Sequence, residues 1–208
     1  MTPAWYPWAV PSVYRFTMKK NLTLTLLMCI LSTATSAQTV ESIRNDYNEA
    51  KSLQSSEVPQ NNYQIIINRM YGGSGQHNET VTMIPRVDYD EQGDSPGDPI
   101  FTPFMITSKF NWAARNYYRE FLYSDKGKLE FIYAKDIDDE DFSEIEYRFY
   151  IGTSGVIKVV VNHKNANEDK FSQEYSGKTL TPKYKKAYER FSNSAAALLK
   201  LFLSLNQF

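Results

Sequence analysis

Two serines sit in glycine-rich settings of the kind that nucleophilic catalysis uses: Gly72-Gly73-Ser74-Gly75-Gln76 and Gly152-Thr153-Ser154-Gly155-Val156. A G-x-S-x-G elbow exposes its serine on a sharp strand-to-helix turn, and both stretches lack the final glycine. Both also fall between strand-like runs, so turn chemistry accounts for them. The single cysteine, Cys29, lies in an apolar run near the N-terminus and offers no alternative nucleophile. The two histidines, His77 and His163, are far apart in sequence and belong to no His/Cys cluster at zinc-ligand spacing. His77 is expected in a solvated loop, and His163 at the rim of a sheet.

Oxygen ligands are plentiful. Asp136, Asp138 and Glu140 occupy positions 1, 3 and 5 of a calcium-type loop, but Asp141 stands where a glycine is needed and Tyr147 where the closing glutamate belongs. Asp88, Asp90 and Gln92 are followed by a suitable Gly93, yet Pro99 takes the closing position. Both stretches read as solvated loops. The 24 acidic residues would allow many carboxylate pairs for glycoside hydrolysis, and no spacing singles one out. No P-loop or dinucleotide fingerprint is present. The sequence therefore assigns no catalytic residue, no metal and no cofactor. What remains is an aromatic and arginine load. Tyr117, Arg119, Arg148 and Tyr150 are the candidate binding residues, because Tyr and Arg dominate interaction hot spots. The competing reading places Tyr123, Tyr133 and Tyr147 in a core beneath a helix.

The N-terminus carries a different signal. From Met18 the chain reads MKKNLTLTLLMCILSTATSAQ, with Lys19 and Lys20 ahead of a ten-residue apolar run, Leu22–Leu31. Small residues then lead to Ala37 and Gln38. This is the layout of a secretory signal peptide, with an apolar core too short to span a bilayer. Residues 1–17, with three prolines, read as upstream sequence from a start placed too early. A lipid anchor at Cys29 fits poorly, since Met28 precedes it and the apolar run continues beyond. The Ser-Ala-Gln ending resembles that of exported proteins of Bacteroidetes-type bacteria; the resemblance covers the signal alone and implies no activity.

Cleavage after Ala37 would leave one domain of 171 residues, 38–208, periplasmic or secreted and free of cysteine. Removing Arg15, Lys19 and Lys20 from the 23 basic residues leaves 20 against 24 acidic ones, a net charge of −4. That balance lacks the Lys/Arg excess of a nucleic-acid footprint.

Within the domain, Val40, Ile43, Tyr47 and Ala50 predict an amphipathic helix ending near Ser55–Pro59. Strand-like runs follow at 62–71, 79–89, 100–110 and 114–123, with Pro85 marking an edge or a bulge and 90–99 a polar loop. The cadence FLYSDKGKLEF at 121–131 returns 28 residues later as FYIGTSGVIKV at 149–159. Three-residue loops ending on Gly127 and Gly155 would pair Tyr123 with Leu129, Phe121 with Phe131, Ile151 with Ile157, and Phe149 with Val159. Residues 163–180 read as a polar connection. Thr181 then caps a helix beginning at Pro182, with Tyr184, Tyr188, Phe191, Ala195, Leu198, Phe202 and Leu205 at 4-3 spacing.

The expected fold is α+β: an antiparallel meander of about six strands with N-terminal and C-terminal helices packed on one face, cystatin-like or NTF2-like in outline. The expected function is that of an exported, non-enzymatic binding or interaction module for a peptide, glycan or protein partner, with no nucleic acid and no membrane span in the mature chain. Two alternatives stand beside it. One is a cell-envelope hydrolase with unassigned carboxylates. The other is a subunit, or homo-oligomer, that docks through Leu198, Phe202 and Leu205.

Overall fold

A computed structural model describes residues 38–56, 62–73, 75–89, 97–138 and 141–206, all within the compact unit Gln38–Phe208. The signal peptide, the upstream stretch, Cys29 and most of the 90–99 loop lie outside these residues. Helix α1 (Val40–Ser55) opens the unit. Eight strands follow: β1 (Tyr63–Tyr71), β2 (Gly75–Tyr89), β3 (Pro99–Trp112), β4 (Arg115–Tyr123), β5 (Leu129–Ile137), β6 (Glu144–Gly152), β7 (Gly155–Lys164) and β8 (Ser172–Gly177). Helix α2 (Pro182–Leu205) closes it. The strands form one antiparallel sheet in the order β1-β2-β3-β4-β5-β6-β7-β8. The α+β class and the meander are as expected, with eight strands rather than about six.

α1 starts where its sequence says it should. Thr39 and Ser42 exchange side-chain-to-backbone hydrogen bonds, each 3.1 Å, so two otherwise unpaired N–H groups are satisfied reciprocally. Its buried face, Ile43 and Ala50, packs on Ile84, Phe104, Met105, Leu122, Phe131 and Tyr150. α2 packs on a different set: Tyr184, Phe191, Ala195 and Phe202 meet Val81, Met83, Ile106, Phe121, Ile132, Phe149 and Val159. Phe121 and Leu122 belong to different cores, as do Phe131 and Ile132, and Phe149 and Tyr150. Successive residues of a strand point to opposite faces. The helices therefore cover opposite faces, which corrects the one-face arrangement and departs from both cystatin-like and NTF2-like outlines.

The same fact corrects the register. Tyr123 does face Leu129, and Ser124 N–H donates to the Lys128 carbonyl at 2.8 Å. A bulge then inserts Glu130, so Phe131 faces Leu122 while Phe121 faces Ile132. In the second hairpin Phe149 faces Val159 as expected, but Gly152 pairs with Gly155 across a two-residue turn. Ile151 therefore faces Val156, and the shift restores register at Tyr150–Lys158. The one-sided argument failed because both faces of these strands are apolar.

Pro85 sits at another register shift and faces Pro103. Two residues without an N–H oppose each other there, so the missing ladder bonds coincide at one bulge. The polar connection 163–180 holds the edge strand β8, whose sequence SQEYSG has no apolar alternation to betray it.

Gly127 and Gly155 both have positive φ, +68° and +118°. The first value lies in the left-handed region that asparagine tolerates; the second lies beyond it. Gly127→Asn should therefore change stability by less than ~0.5 kcal/mol, whereas Gly155→Asn should cost about 1–3 kcal/mol. Urea midpoints of the two variants check this, and equal midpoints would contradict the difference in φ.

At 1.5 Å per residue, the 24 residues of α2 run about 36 Å, and the seven gaps between eight strands span about 34 Å. The helix uses this match to cross the whole sheet. Tyr184 lies 5.2 Å from Tyr175 of β8, and Phe191 lies 5.5 Å from Tyr147 of β6. The Tyr123 hydroxyl of β4 donates to the Ala195 carbonyl at 2.9 Å. Phe202 lies 5.9 Å from Tyr63 of β1. Phe202 is fully buried, so it belongs to the core and not to the docking surface that one alternative gave it; Leu205 is 39% exposed.

Candidate functional site

α2 meets β1 at Tyr63 and β4 at Tyr123, the ends of those strands away from the β1–β2 and β3–β4 turns, and a cavity lies at one corner of its face, at the tips of those two hairpins. Cross-strand pairing sets what stands there. Arg69 faces His77, Ile67 faces Glu79, Glu79 faces Phe110, Phe110 faces Tyr117, and Trp112 faces Arg115. The register thus gathers side chains from four strands onto one patch.

Three rings form the wall. His77 and Trp112 have centroids 4.2 Å apart, Tyr71 lies 4.9 Å from His77, and Tyr71 lies 5.5 Å from Trp112. His77 is buried, with Nδ1 at 3.2 Å from the Asn111 carbonyl oxygen, which corrects its expected place in solvent. Trp112 remains 50% exposed and Tyr71 38% exposed. Asn111 holds the wall together: its Nδ2 donates to the Gln76 carbonyl at 3.0 Å, and its Oδ1 accepts from Asn78 N–H at 2.8 Å. The β3–β4 turn is tight, with Ala113 at φ 51° and Trp112 paired with Arg115, so Asn111-Trp112 ends one arm of a hairpin.

The floor is a second stack. Phe110 and Tyr117 lie 5.0 Å apart and nearly parallel, at 10°. The Arg119 guanidinium lies 4.8 Å from the Phe110 centroid and 5.3 Å from that of Phe191, and it donates to Ser194 Oγ at 3.0 Å. Burial lowers its pKa, with the nearby Asp136 acting in the opposite direction. Glu79 accepts from Ser108 Oγ at 2.8 Å, and a hydrogen bond to Tyr71 raises the Arg69 pKa. Wall and floor enclose an open cavity of about 300 Å³. Its shape and lining suit a small ligand, with apolar rings for contact area and a few charged groups for orientation.

The other face of the sheet carries a polar furrow beside the C-terminal half of α1. Glu120, whose side chain is 3% exposed, accepts from Tyr47 Oη (2.5 Å), Tyr118 Oη (2.6 Å) and Lys51 Nζ (2.9 Å). Glu146 accepts from Tyr133 Oη (2.7 Å), Arg148 (3.0 Å) and Asn162 (3.4 Å), with Lys135 Nζ at 3.3 Å. Burial pushes the Glu146 carboxyl up, but these partners outweigh it and hold the group below the usual carboxylate range. Tyr47, Tyr118 and Tyr133 are raised, first by burial and then by their carboxylate partners. Such a network locks side chains in place. At Glu146 it favours the ionised carboxylate. Among the described residues, no three His, Cys, Asp or Glu side chains converge as a metal site requires.

The four candidate binding residues are divided by the sheet. Arg119 lines the aromatic corner, and Tyr117 stacks on Phe110 behind it without lining the cavity. Arg148 lies on the other face, paired with Glu146 and 5.4 Å from the Tyr133 centroid. Tyr150 is 5% exposed and packs against Phe131 at 4.9 Å. These four do not form one site. The residues that sequence reasoning missed are Arg69, Tyr71, His77, Glu79, Phe110 and Trp112. Their one signal was an aromatic residue at the end of each strand run, Tyr71 before Gly72-Gly73 and Trp112 before Ala113-Ala114. Comparison of the chain with protein-family models, with curated proteins and with solved structures finds no match.

Proposed function

We propose that this protein is an exported, non-enzymatic binding module whose ligand site is the aromatic corner. The observation that carries the reading is the half-exposed Trp112 at the mouth of a ring-lined cavity. Tryptophan, tyrosine and arginine contribute most per residue to binding when a ligand desolvates them. On the opposite face, Glu120 and Glu146 are taken up by tyrosine, lysine and arginine partners, which favours a structural role for them.

Removal of residues 1–37 would take Trp5 and Trp8 with it and leave Trp112 as the only tryptophan. Its emission then reports on the corner alone. Titration with panels of oligosaccharides and short peptides should shift that emission. Trp112→Ala, which removes the reporter and is therefore read by titration calorimetry beside the wild type, should keep its melting temperature and bind the active compound at least ~30-fold more weakly, the scale of a hot spot of about 2 kcal/mol. A compound bound equally well by the alanine variant would remove the corner from the account.

Export rests on the Met18–Gln38 layout. Mass spectrometry of the protein from its native compartment should find Gln38, free or cyclised, as the first residue. An intact Met1 or a lipidated Cys29 would refute cleavage after Ala37.

A further inference from the structure

The aromatic corner adjoins an open sheet margin. Among the described residues, β1 is the first strand of the sheet and pairs only with β2. Along its outer edge, alternate residues turn their N–H and C=O groups away from the sheet. Natural edge strands are protected by shortness, lysine, proline or bulges. The opposite margin, β8, is six residues long, polar and bulged against β7. β1 carries one charge, Arg69, and none of the other defences. It is nine residues long, contains no lysine or proline, and pairs with β2 without a register shift. It also exposes Ile66 (63%) and Met70 (75%) on the α1 side of the sheet.

We infer that β1 accepts an extended acidic peptide as a ninth strand, with the aromatic corner reading its side chains; this rests on the binding-module reading above. Strand addition takes its affinity from main-chain hydrogen bonds and its specificity from pockets for alternate side chains. Here the two are contiguous, because Ile67, Arg69 and Tyr71 of β1 are themselves part of the cavity wall. Alternate residues of an added strand would lie beside Ile66 and Met70 on one face. Those between them would lie at the cavity mouth on the other.

Charge selects the occupant. The cavity presents Arg69 and Arg119 against the single carboxylate of Glu79, so the residue at its mouth should be Asp or Glu. A second copy pairing β1 with β1 cannot supply that charge, since YQIIINRMY contains no acid. A peptide with apolar residues on one face and a central acid on the other meets both requirements.

The test uses the purified protein and two fluorescein-labelled peptides of alternating Val and Thr, identical except for a central Glu or a central Lys. Anisotropy should show the Glu peptide binding about 10-fold more tightly than the Lys peptide, and Arg69→Glu should reverse the order; one charge contact of about 1.4 kcal/mol corresponds to that factor. Residue-resolved hydrogen exchange should show added protection at alternate amides of Tyr63–Tyr71. Binding with no new protection in β1 overturns strand addition, and if Trp112 emission shifts, the corner remains a binding site. Equal affinity for the two peptides overturns the acidic preference. Absence of binding by either peptide at ~1 mM overturns the proposal, as does light scattering that shows a dimer with β1 amides already protected.

Discussion

Truncation after Ala197 should abolish cooperative unfolding. The deletion removes fully buried Phe202, the partly buried Leu198, Leu199 and Leu201 that pack on the same core, and the Tyr63 hydroxyl bond to Asn206 Oδ1 at 2.6 Å. Phe202→Ala alone should cost about 3–5 kcal/mol, the usual range for emptying an aromatic site in a core. That is a large part of the ~5–15 kcal/mol that holds an ordinary domain together. Leu203→Ser is the control. Leu203 lies on the same turn but is 49% exposed, so its loss should stay within about 0.5 kcal/mol. Denaturation with light scattering on all three variants separates core from interface. A truncated chain that stays folded while an oligomer dissociates would return the end of α2 to an interface role.

The second large effect is expected at Glu120. Glu120→Ala leaves the phenols of Tyr47 and Tyr118 without their acceptor beneath α1, while Lys51, 38% exposed, can turn to water. Two stranded donors at roughly 1–3 kcal/mol each give an expected loss of about 2–4 kcal/mol. Glu120→Gln keeps an acceptor in place and should lose about 1 kcal/mol. Glu146 adds a dependence on pH. Its folded carboxyl titrates below the ordinary value of 4.5, so its contribution is fully present above that pH and fades as pH falls through the folded value. The stability gap between wild type and Glu146→Gln should therefore narrow in acid. Urea titrations across that range measure it, and a gap constant with pH would show that the ion pairs around Glu146 do not stabilise the fold.

Local signals in the sequence matched the parts of the fold that depend on local chemistry. Thr39 and Ser42 mark the start of α1, Thr181-Pro182 marks the start of α2 although the Thr181 side chain makes no capping bond there, and the 4-3 stripe marks its buried side. Glycine at positions 127 and 155 marks two turns. The helix faces were legible too, but the sign was misread. Phe121-Leu122, Phe131-Ile132 and Phe149-Tyr150 are consecutive apolar pairs, the mark of strands buried on both sides. A period-2 argument looks for one apolar face and passes over them. The bulge at Glu130 then moved Phe131 across the sheet, and nothing in the neighbouring residues announces that extra residue. The corner was hidden for another reason. His77 and Trp112 are 35 positions apart and meet only through the pairing of β2 with β3, so the site exists only once that register is known.

The crossing of α2 also bears on how the chain acquires its structure. Every strand pairs with the next one in sequence, so the sheet can grow by closing short loops one after another. The bond from Tyr63 to Asn206 closes 143 residues and joins the first strand to the last turn of the final helix. Loop-closure entropy makes that contact slow to form early and easy to form once the meander has brought its margins into place. α2 then acts as a latch. A chain emerging N-terminus first can pair its hairpins while still open along one face. It becomes a single cooperative unit only when the 24 residues of α2 arrive to span the sheet.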